Sequence, residues 1–229
     1  MEAFVIFVLV AAAIIALAVL ASQQAKKRRM ALAAWASSRG LAFDPTHDSQ
    51  MNDRYPGFKC LRQGDDRYAY NVMEGRAGGR PISAFDYHYE THSTDSKGHR
   101  TTHNHHFSAV IVATGLPLKP LVIRKEGFFD KVGEFLGFDD IDFESTEFSR
   151  EFYVKSPDRR WAFDVIHQET MEFLLASPRF ALEFQGSDAI AYRGRTFKPE
   201  DFEAALEVIA GVLDRLPEYL LRELKGVDQ

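Results

Sequence analysis

The chain has almost no cysteine and lacks the short motifs that mark common enzyme sites. Its 229 residues include one cysteine, Cys60, so no disulfide forms within the chain, a composition typical of a reducing compartment. The sequence contains no G-x-S-x-G, no H-E-x-x-H and no cysteine pair of zinc-finger spacing. It therefore specifies no reaction, enzymatic activity stays an open question, and Cys60 is predicted to be a small packed side chain.

Charge is absent from residues 3–22, which read AFVIFVLVAAAIIALAVLAS. At about 1.5 Å per residue, a helix of this length spans the roughly 30 Å hydrocarbon layer of a bilayer. A secretory signal peptide would place positive charge before the apolar run, whereas Glu2 is acidic and Lys26–Arg29 follow the run. Because positive clusters stay in the cytoplasm, we predict a single transmembrane helix over residues 3–22 and a soluble domain at the cytoplasmic face of the cell membrane.

Positive charge is scarce in the remainder of the chain. Of 28 basic and 33 acidic residues, 24 and 32 lie beyond Arg29, so that part carries a formal net charge of −8. Nucleic-acid binding needs clustered positive charge, so we predict no nucleic-acid partner. The predicted partners are the lipid bilayer, through residues 3–22, and an unidentified protein or lipid at the membrane surface.

Residues 23–57 are predicted to form a juxtamembrane helix and linker, with Trp35 a candidate for the lipid interface and Gly40 placed to end the helix. Residues 58–224 are predicted to form one soluble α+β domain. In its first half, alternation of apolar and polar residues predicts strands separated by glycine-containing turns. These strands are Phe58–Arg62, Arg67–Met73, Ile82–Thr91, His105–Ala113 and Leu121–Arg124.

The second half adds helical spacing. It predicts a helix from Phe128 to Leu136, a helix from Ser156 to Pro178 that is interrupted near His167, and a last helix after Pro199 that restarts at Pro217. A hairpin turning at Gly186–Asp188 is predicted between them. The predicted architecture is an antiparallel β-meander with helices packed on one face and a C-terminal capping helix, and a pleckstrin-homology-like barrel is a more specific version of it.

Several short motifs carry a resemblance in their order along the chain. They are FDYHYET (85–91), HRTTHNHHF (99–107), DIDFES (140–145), FSREFYV (148–154) and MEFLLASP (171–178). With the N-terminal anchor, they resemble a bacterial, mainly actinobacterial, family of membrane-anchored proteins of unknown function. The resemblance implies a bacterial membrane protein, and it implies no activity and no site residues.

Histidine is concentrated in one predicted hairpin, where six of the eight histidines lie within 19 positions. If the turn centres on Lys97-Gly98, then His88, Glu90 and His92 share a face with His103 and His105. Imidazoles in this arrangement can converge on Zn²⁺, so His88, His92, His103 and His105 are candidate metal ligands. The alternatives are a solvated polar hairpin and a cluster that responds to pH.

Two functional hypotheses follow from these observations. The first is a non-catalytic binding or scaffold module, with no cofactor, that the anchor concentrates at the membrane. The second is a metal sensor or metal-dependent enzyme that uses Zn²⁺ on the histidine-rich hairpin. The metal content of the purified protein distinguishes the two.

Overall fold

The fold is α+β, with a long N-terminal helix, a six-stranded antiparallel sheet and C-terminal helices. The computed structural model describes residues 1–125 and 140–226, the side chains of Glu2 and Ala3 excepted. The predicted helix from Phe128 to Leu136 lies outside the described residues. The helices are α1 (Glu2–Ser38), α2 (Met51–Arg54), α3 (Thr146–Glu151), α4 (Arg159–Val165), α5 (Gln168–Ala176), α6 (Pro199–Leu213) and α7 (Glu218–Lys225). The strands are β1 (Ala42–Asp44), β2 (Asp65–Ala77), β3 (Arg80–Thr94), β4 (Arg100–Lys125), β5 (Phe152–Lys155) and β6 (Ala181–Arg193).

Helix α1 runs without a break from the apolar N-terminal segment into the folded domain. Among the described residues it is the one helix long and apolar enough to cross a membrane. Leu32 and Ala36, in its C-terminal half, are fully buried in the domain core. Trp35, the candidate for the lipid interface, packs on Phe202 of α6 with ring centroids 5.7 Å apart and so contacts the folded domain. Gly40, at φ +67°, follows the helix end as predicted.

The sheet follows the order β1-β2-β3-β4-β5, and β6 pairs with β4. Strand β1 lies in the segment predicted as a linker, and its three residues pair with β2. Met51, from the same segment, is fully buried. Part of the predicted linker is therefore integral to the fold. Since the described strands form an open path, the barrel version of the prediction has no support from their pairing.

Both faces of the sheet are covered. One face packs against α1, α6 and the other C-terminal helices to form the larger core, which contains Trp161 and Phe202. The opposite face forms a second core with residues 51–61, including Phe58 and Cys60. Cys60 is a buried packed side chain, as predicted. Residues Lys59–Arg62 form a 3₁₀ helix over this core, so the strand predicted at Phe58–Arg62 is wrong.

Strands β4 and β6 form one long antiparallel pair that bends in the middle. Strand β6 pairs with β4 on both sides of Gly186, so the hairpin predicted at Gly186–Asp188 is wrong. The register shifts between Ala113 and Leu121, opposite Gly186, and Gly115 and Gly186 both adopt positive φ. Extra residues in one strand bend a sheet and increase its twist. Gly186, which predicted a turn, therefore lies within a single strand, opposite the extra residues of β4.

Candidate functional site at the junction of anchor and sheet

Helix α1 is joined to the sheet by a buried ion pair. Asp86, in β3, is fully buried, and the Arg28 guanidinium donates two hydrogen bonds of 2.7 Å to its two carboxylate oxygens. Nε and Nη2 of Arg28 also donate to the Phe197 carbonyl oxygen, at 2.9 Å and 2.7 Å. A bidentate guanidinium–carboxylate pair fixes direction as well as distance. Arg28, predicted only as part of the topology signal, is therefore a structural contact.

The remaining hydrogen bonds to Asp86 come from neighbouring strands. The Asn71 amide donates to Asp86 at 2.8 Å, and the Ser108 hydroxyl donates to the other carboxylate oxygen. Ser108 in turn accepts a hydrogen bond of 2.8 Å from the Phe197 backbone N–H. A buried carboxylate is tolerated when its charge is paired and its lone pairs are filled. We call these five residues, Arg28, Asn71, Asp86, Ser108 and Phe197, the latch.

One residue of the latch, Asn71, has an uncommon backbone conformation. Asn71 is 4% exposed and adopts φ +49°, a left-handed backbone conformation that costs free energy for most residues other than glycine. This conformation coincides with a register shift in β2 between Tyr70 and Met73. At this bulge the amide group of Asn71 faces Asp86. The side-chain oxygen of Asn71 has no hydrogen-bond partner.

A ladder of rings lies next to the latch on the same face of the sheet. His47, Tyr68, His88 and His106 follow one another with centroid spacings of 4.0, 4.6 and 4.8 Å. Tyr70 is hydrogen-bonded to Nδ1 of His106 at 3.2 Å. Burial lowers the pKa of His106, and neighbouring His88 lowers it further, which favours a neutral ring at pH 7. These rings cover the latch face of the sheet beyond Asp86.

The four candidate metal ligands do not share a face. Strand β3 pairs His88 with His106, His92 with Thr102, and Thr91 with His103. Paired residues of antiparallel strands point to one side and alternate residues to the other. His88 and His92 therefore lie on the latch face, and His103 and His105 on the opposite face. The predicted arrangement on a single face is wrong, because the register differs from the predicted one by one residue.

Each of these imidazoles also has a local partner. His88 contacts the Asp66 carbonyl oxygen and Asn104, both at 3.0 Å, and His92 contacts Thr102 at 3.1 Å. His105 contacts Thr91 at 2.8 Å and His103 contacts Ser93 at 2.9 Å. Across residues 1–125 and 140–226, no group of three or more His, Cys, Asp or Glu side chains is placed to hold a metal ion. The four histidines do not fit a shared zinc site in this conformation.

A second buried polar pair lies in the core on the opposite face. Glu183 is 3% exposed, and the Tyr192 phenol donates a hydrogen bond of 2.7 Å to its carboxylate. Burial raises the pKa of Glu183 to about 7 and raises the pKa of Tyr192 well above its usual value. The two residues are nine positions apart in β6, about 30 Å in a straight strand. Their hydrogen bond is possible because the strand bends at Gly186.

Sequence reasoning missed the latch. The one available signal was Asp86, a carboxylate within the mostly apolar and aromatic run of β3, because a charge at a buried strand position needs a partner. Nothing local indicated that the partner lies in α1, 58 positions earlier in the chain. The histidines predicted a metal site because many of them lie close together in sequence, but the fold places them on two faces of the sheet.

The described elements define a class of protein: an α+β domain fused to an apolar helix that is a candidate membrane span. Comparison with known proteins adds one solved structure, "crystal structure of the mycobacterial trehalose monomycolate transport factor A, TtfA". It aligns with a TM-score of 0.60 at 15% sequence identity, over 83% of this chain and 95% of that chain. The similarity extends to the fold, and the neighbour is actinobacterial. No family model matches the chain, and no curated protein matches it.

Proposed function

We propose that this chain is a single-pass bacterial membrane protein whose α+β domain acts as a binding or scaffold module at the cytoplasmic face of the membrane. The observation that carries the proposal is the latch. Because α1 is continuous and its Arg28 is bonded to the buried Asp86, the domain is held in one orientation relative to the span. A flexible tether would raise local concentration alone, whereas a fixed joint also presents one surface to a neighbour in the membrane.

The cytoplasmic orientation is supported by the charges that flank the span. Lys26, Lys27 and Arg29 are exposed on α1 directly after the apolar segment. Basic residues within about 15 residues of a span favour the cytoplasmic side. The acidic Glu2 stands at the other end of the segment. This asymmetry supports an outside N-terminus and an inside domain.

The structural neighbour supports a role in a membrane assembly. That neighbour is a trehalose monomycolate transport factor, and its fold covers most of this chain. We propose that this chain likewise attaches to membrane machinery that handles lipids or glycolipids and binds a protein or lipid component of it. Membership of the resembled actinobacterial family is part of the same proposal.

The experiment is cross-linking and copurification from native membranes, with a matched variant that keeps both anchor and domain. In that variant a flexible Gly-Ser segment is inserted after Gln23, so the latch stays intact and the span no longer orients the domain. We expect the native chain to capture one membrane partner in constant ratio and the insertion variant to lose it. Equal capture by both chains would contradict a scaffold of fixed orientation, and no captured partner would contradict the scaffold itself.

A further inference from the structure

The β3–β4 hairpin extends beyond the rest of the sheet. Strand β2 pairs with β3 as far as Glu90, and β6 pairs with β4 as far as Ser108. Beyond those rows only β3 and β4 continue, paired as far as Thr94 and Arg100. We call residues 91–103 the ribbon. Its residues from Ser93 to His103 are all exposed.

The ribbon points toward the membrane end of α1. Arg28 contacts Asp86, and the backbone of Gly40, just past the helix end, lies next to Gly75. Gly75 pairs with Ile82, so passing along α1 away from the membrane means passing from Asp86 toward Ile82 in β3. The opposite direction in β3 leads from Asp86 into the ribbon. Ribbon and membrane span therefore leave the latch on the same side.

The ribbon is long enough to reach the surface of a bilayer that α1 crosses. From Asp86 to Thr94 is eight residues, about 26 Å of strand. From Arg28 back to Ser22, the end of the apolar segment, is six residues, about 9 Å of helix. The ribbon is thus long enough to meet the head-group layer even when it is inclined to α1. It carries no large apolar side chain, so its contact is expected with the head groups and not with the hydrocarbon layer.

The chemistry of the ribbon suits anionic head groups. Residues 91–103 contain Lys97 and Arg100 against a single acidic residue, Asp95. Asp95 is engaged within the turn, where it accepts hydrogen bonds from the backbone N–H groups of Lys97 and His99. The rest of the ribbon is serine, threonine and histidine, whose side chains hydrogen-bond to phosphate. This positive tip stands out in a soluble part whose formal net charge is −8.

We propose that the ribbon is a second membrane contact, which lies on the anionic phospholipid surface next to α1 through Lys97 and Arg100. The proposal rests on the anchoring by α1 proposed above. The span and the ribbon then both contact the membrane, and the Arg28–Asp86 pair fixes the domain to the span. The domain then lies against the bilayer, and its opposite end faces the cytoplasm.

The test is fluorescence quenching on the full chain reconstituted in vesicles. Cys60 is buried and burial raises its pKa well above the usual value, so a thiol-reactive fluorophore selects an introduced cysteine. Ser96→Cys labels the ribbon tip, and the matched control Ser187→Cys labels the exposed bend of β6. A nitroxide lipid labelled at the head group is the quencher, in phosphatidylcholine vesicles with and without phosphatidylglycerol.

We expect strong quenching at position 96 in vesicles that contain phosphatidylglycerol, and little at position 187. Reversing both ribbon charges, Lys97→Glu with Arg100→Glu, should remove most of the quenching at position 96. Reversing two charges at the β2–β3 turn, at the other end of the sheet, Arg76→Glu with Arg80→Glu, should leave it unchanged. Equal quenching at positions 96 and 187, or quenching that needs no anionic lipid, would overturn the proposal.

A third label separates this proposal from the one on which it rests. Ala18→Cys lies within the apolar segment and should be quenched by a nitroxide on the acyl chain. Quenching at position 18 without quenching at position 96 overturns the ribbon contact and leaves the anchor in place. No quenching at position 18 overturns the anchor, and the ribbon contact with it.

Discussion

At the scale of single residues, the latch is the contact whose removal should cost most. Arg28→Ala leaves the Asp86 carboxylate fully buried without its counter-charge, and breaking a buried pair in this way costs about 3–5 kcal/mol. We expect a large fall in the free energy of unfolding. Chemical denaturation of the full chain in detergent, followed by tryptophan fluorescence, measures it because Trp161 is buried.

The matched control is Arg29→Ala, which removes the neighbouring exposed charge and should change stability by less than about 0.5 kcal/mol. The double variant Arg28→Met with Asp86→Leu removes both charges and should recover much of the loss, because buried pairs replaced by apolar residues are often neutral. Equal effects of Arg28→Ala and Arg29→Ala would contradict the latch.

Glu183 should make stability depend on pH. Its folded-state pKa is about 7 against an ordinary value of 4.5, because burial disfavours the charged form. Below about pH 4.5 Glu183 is protonated in both states and does not affect the free energy of unfolding. As pH rises from there to 7 its contribution lowers that free energy, and above pH 7 the loss levels off at about 3 kcal/mol. Glu183→Gln removes this penalty, so the variant should gain stability relative to the native chain as pH rises.

The measurement is the urea midpoint of both chains at about pH 5 and pH 8. The exposed Glu144→Gln serves as the control and should track the native chain at both values. A difference between Glu183→Gln and the native chain that does not change with pH would show that the carboxyl group does not titrate in this range.

At the scale of elements, the hairpin that carries the histidines was located correctly from sequence and its faces were not. Turn residues near Lys97-Gly98 predicted the reversal, and β3 and β4 confirm it. The predicted pairing placed His88 opposite Phe107, whereas the strands pair it with His106. A shift of one residue exchanges the two faces of a strand, and no local pattern fixes the register to that precision.

Because the four histidines lie on two faces, we predict that the hairpin binds zinc weakly. Imidazoles on opposite faces cannot close on one ion without breaking contacts such as Thr91–His105. We expect the variant with alanine at positions 88, 92, 103 and 105 to show the same small shift of melting temperature with zinc as the native chain. Stoichiometric zinc in the isolated native chain, lost in this variant, would restore the metal-sensor hypothesis.

Other elements show the limits of sequence patterns in the same way. The strand predicted at Phe58–Arg62 has the apolar alternation of a strand, but its residues cover the second core as a 3₁₀ turn. Gly186 has the composition of a turn, but β6 continues through it because β4 carries a matching bulge. In both cases tertiary contacts outweigh local preference. The last helix and its restart at Pro217 were predicted correctly, because the apolar stripe along one helix face is visible in the local sequence.

At the scale of the whole molecule, the proposed topology predicts which parts a protease can reach. Protease added to intact cells should leave the domain undigested, because the exposed Lys26, Lys27 and Arg29 favour the cytoplasmic side. After permeabilisation, the exposed loops should be cut. The readout is an epitope tag at the C-terminus, with a known periplasmic protein as the positive control for digestion. Loss of the tag without permeabilisation would reverse the orientation.

The distance of the latch partners along the chain has a consequence for biosynthesis. Arg28 emerges from the ribosome early, whereas Phe197, which accepts two of its hydrogen bonds, is 169 residues later. If α1 is the membrane anchor proposed above, it has time to enter the bilayer before its partners in the domain are synthesised, since chains grow at about 5–20 residues per second. The proposed topology therefore predicts that insertion precedes folding, and that the domain folds onto a helix whose position the membrane has already set.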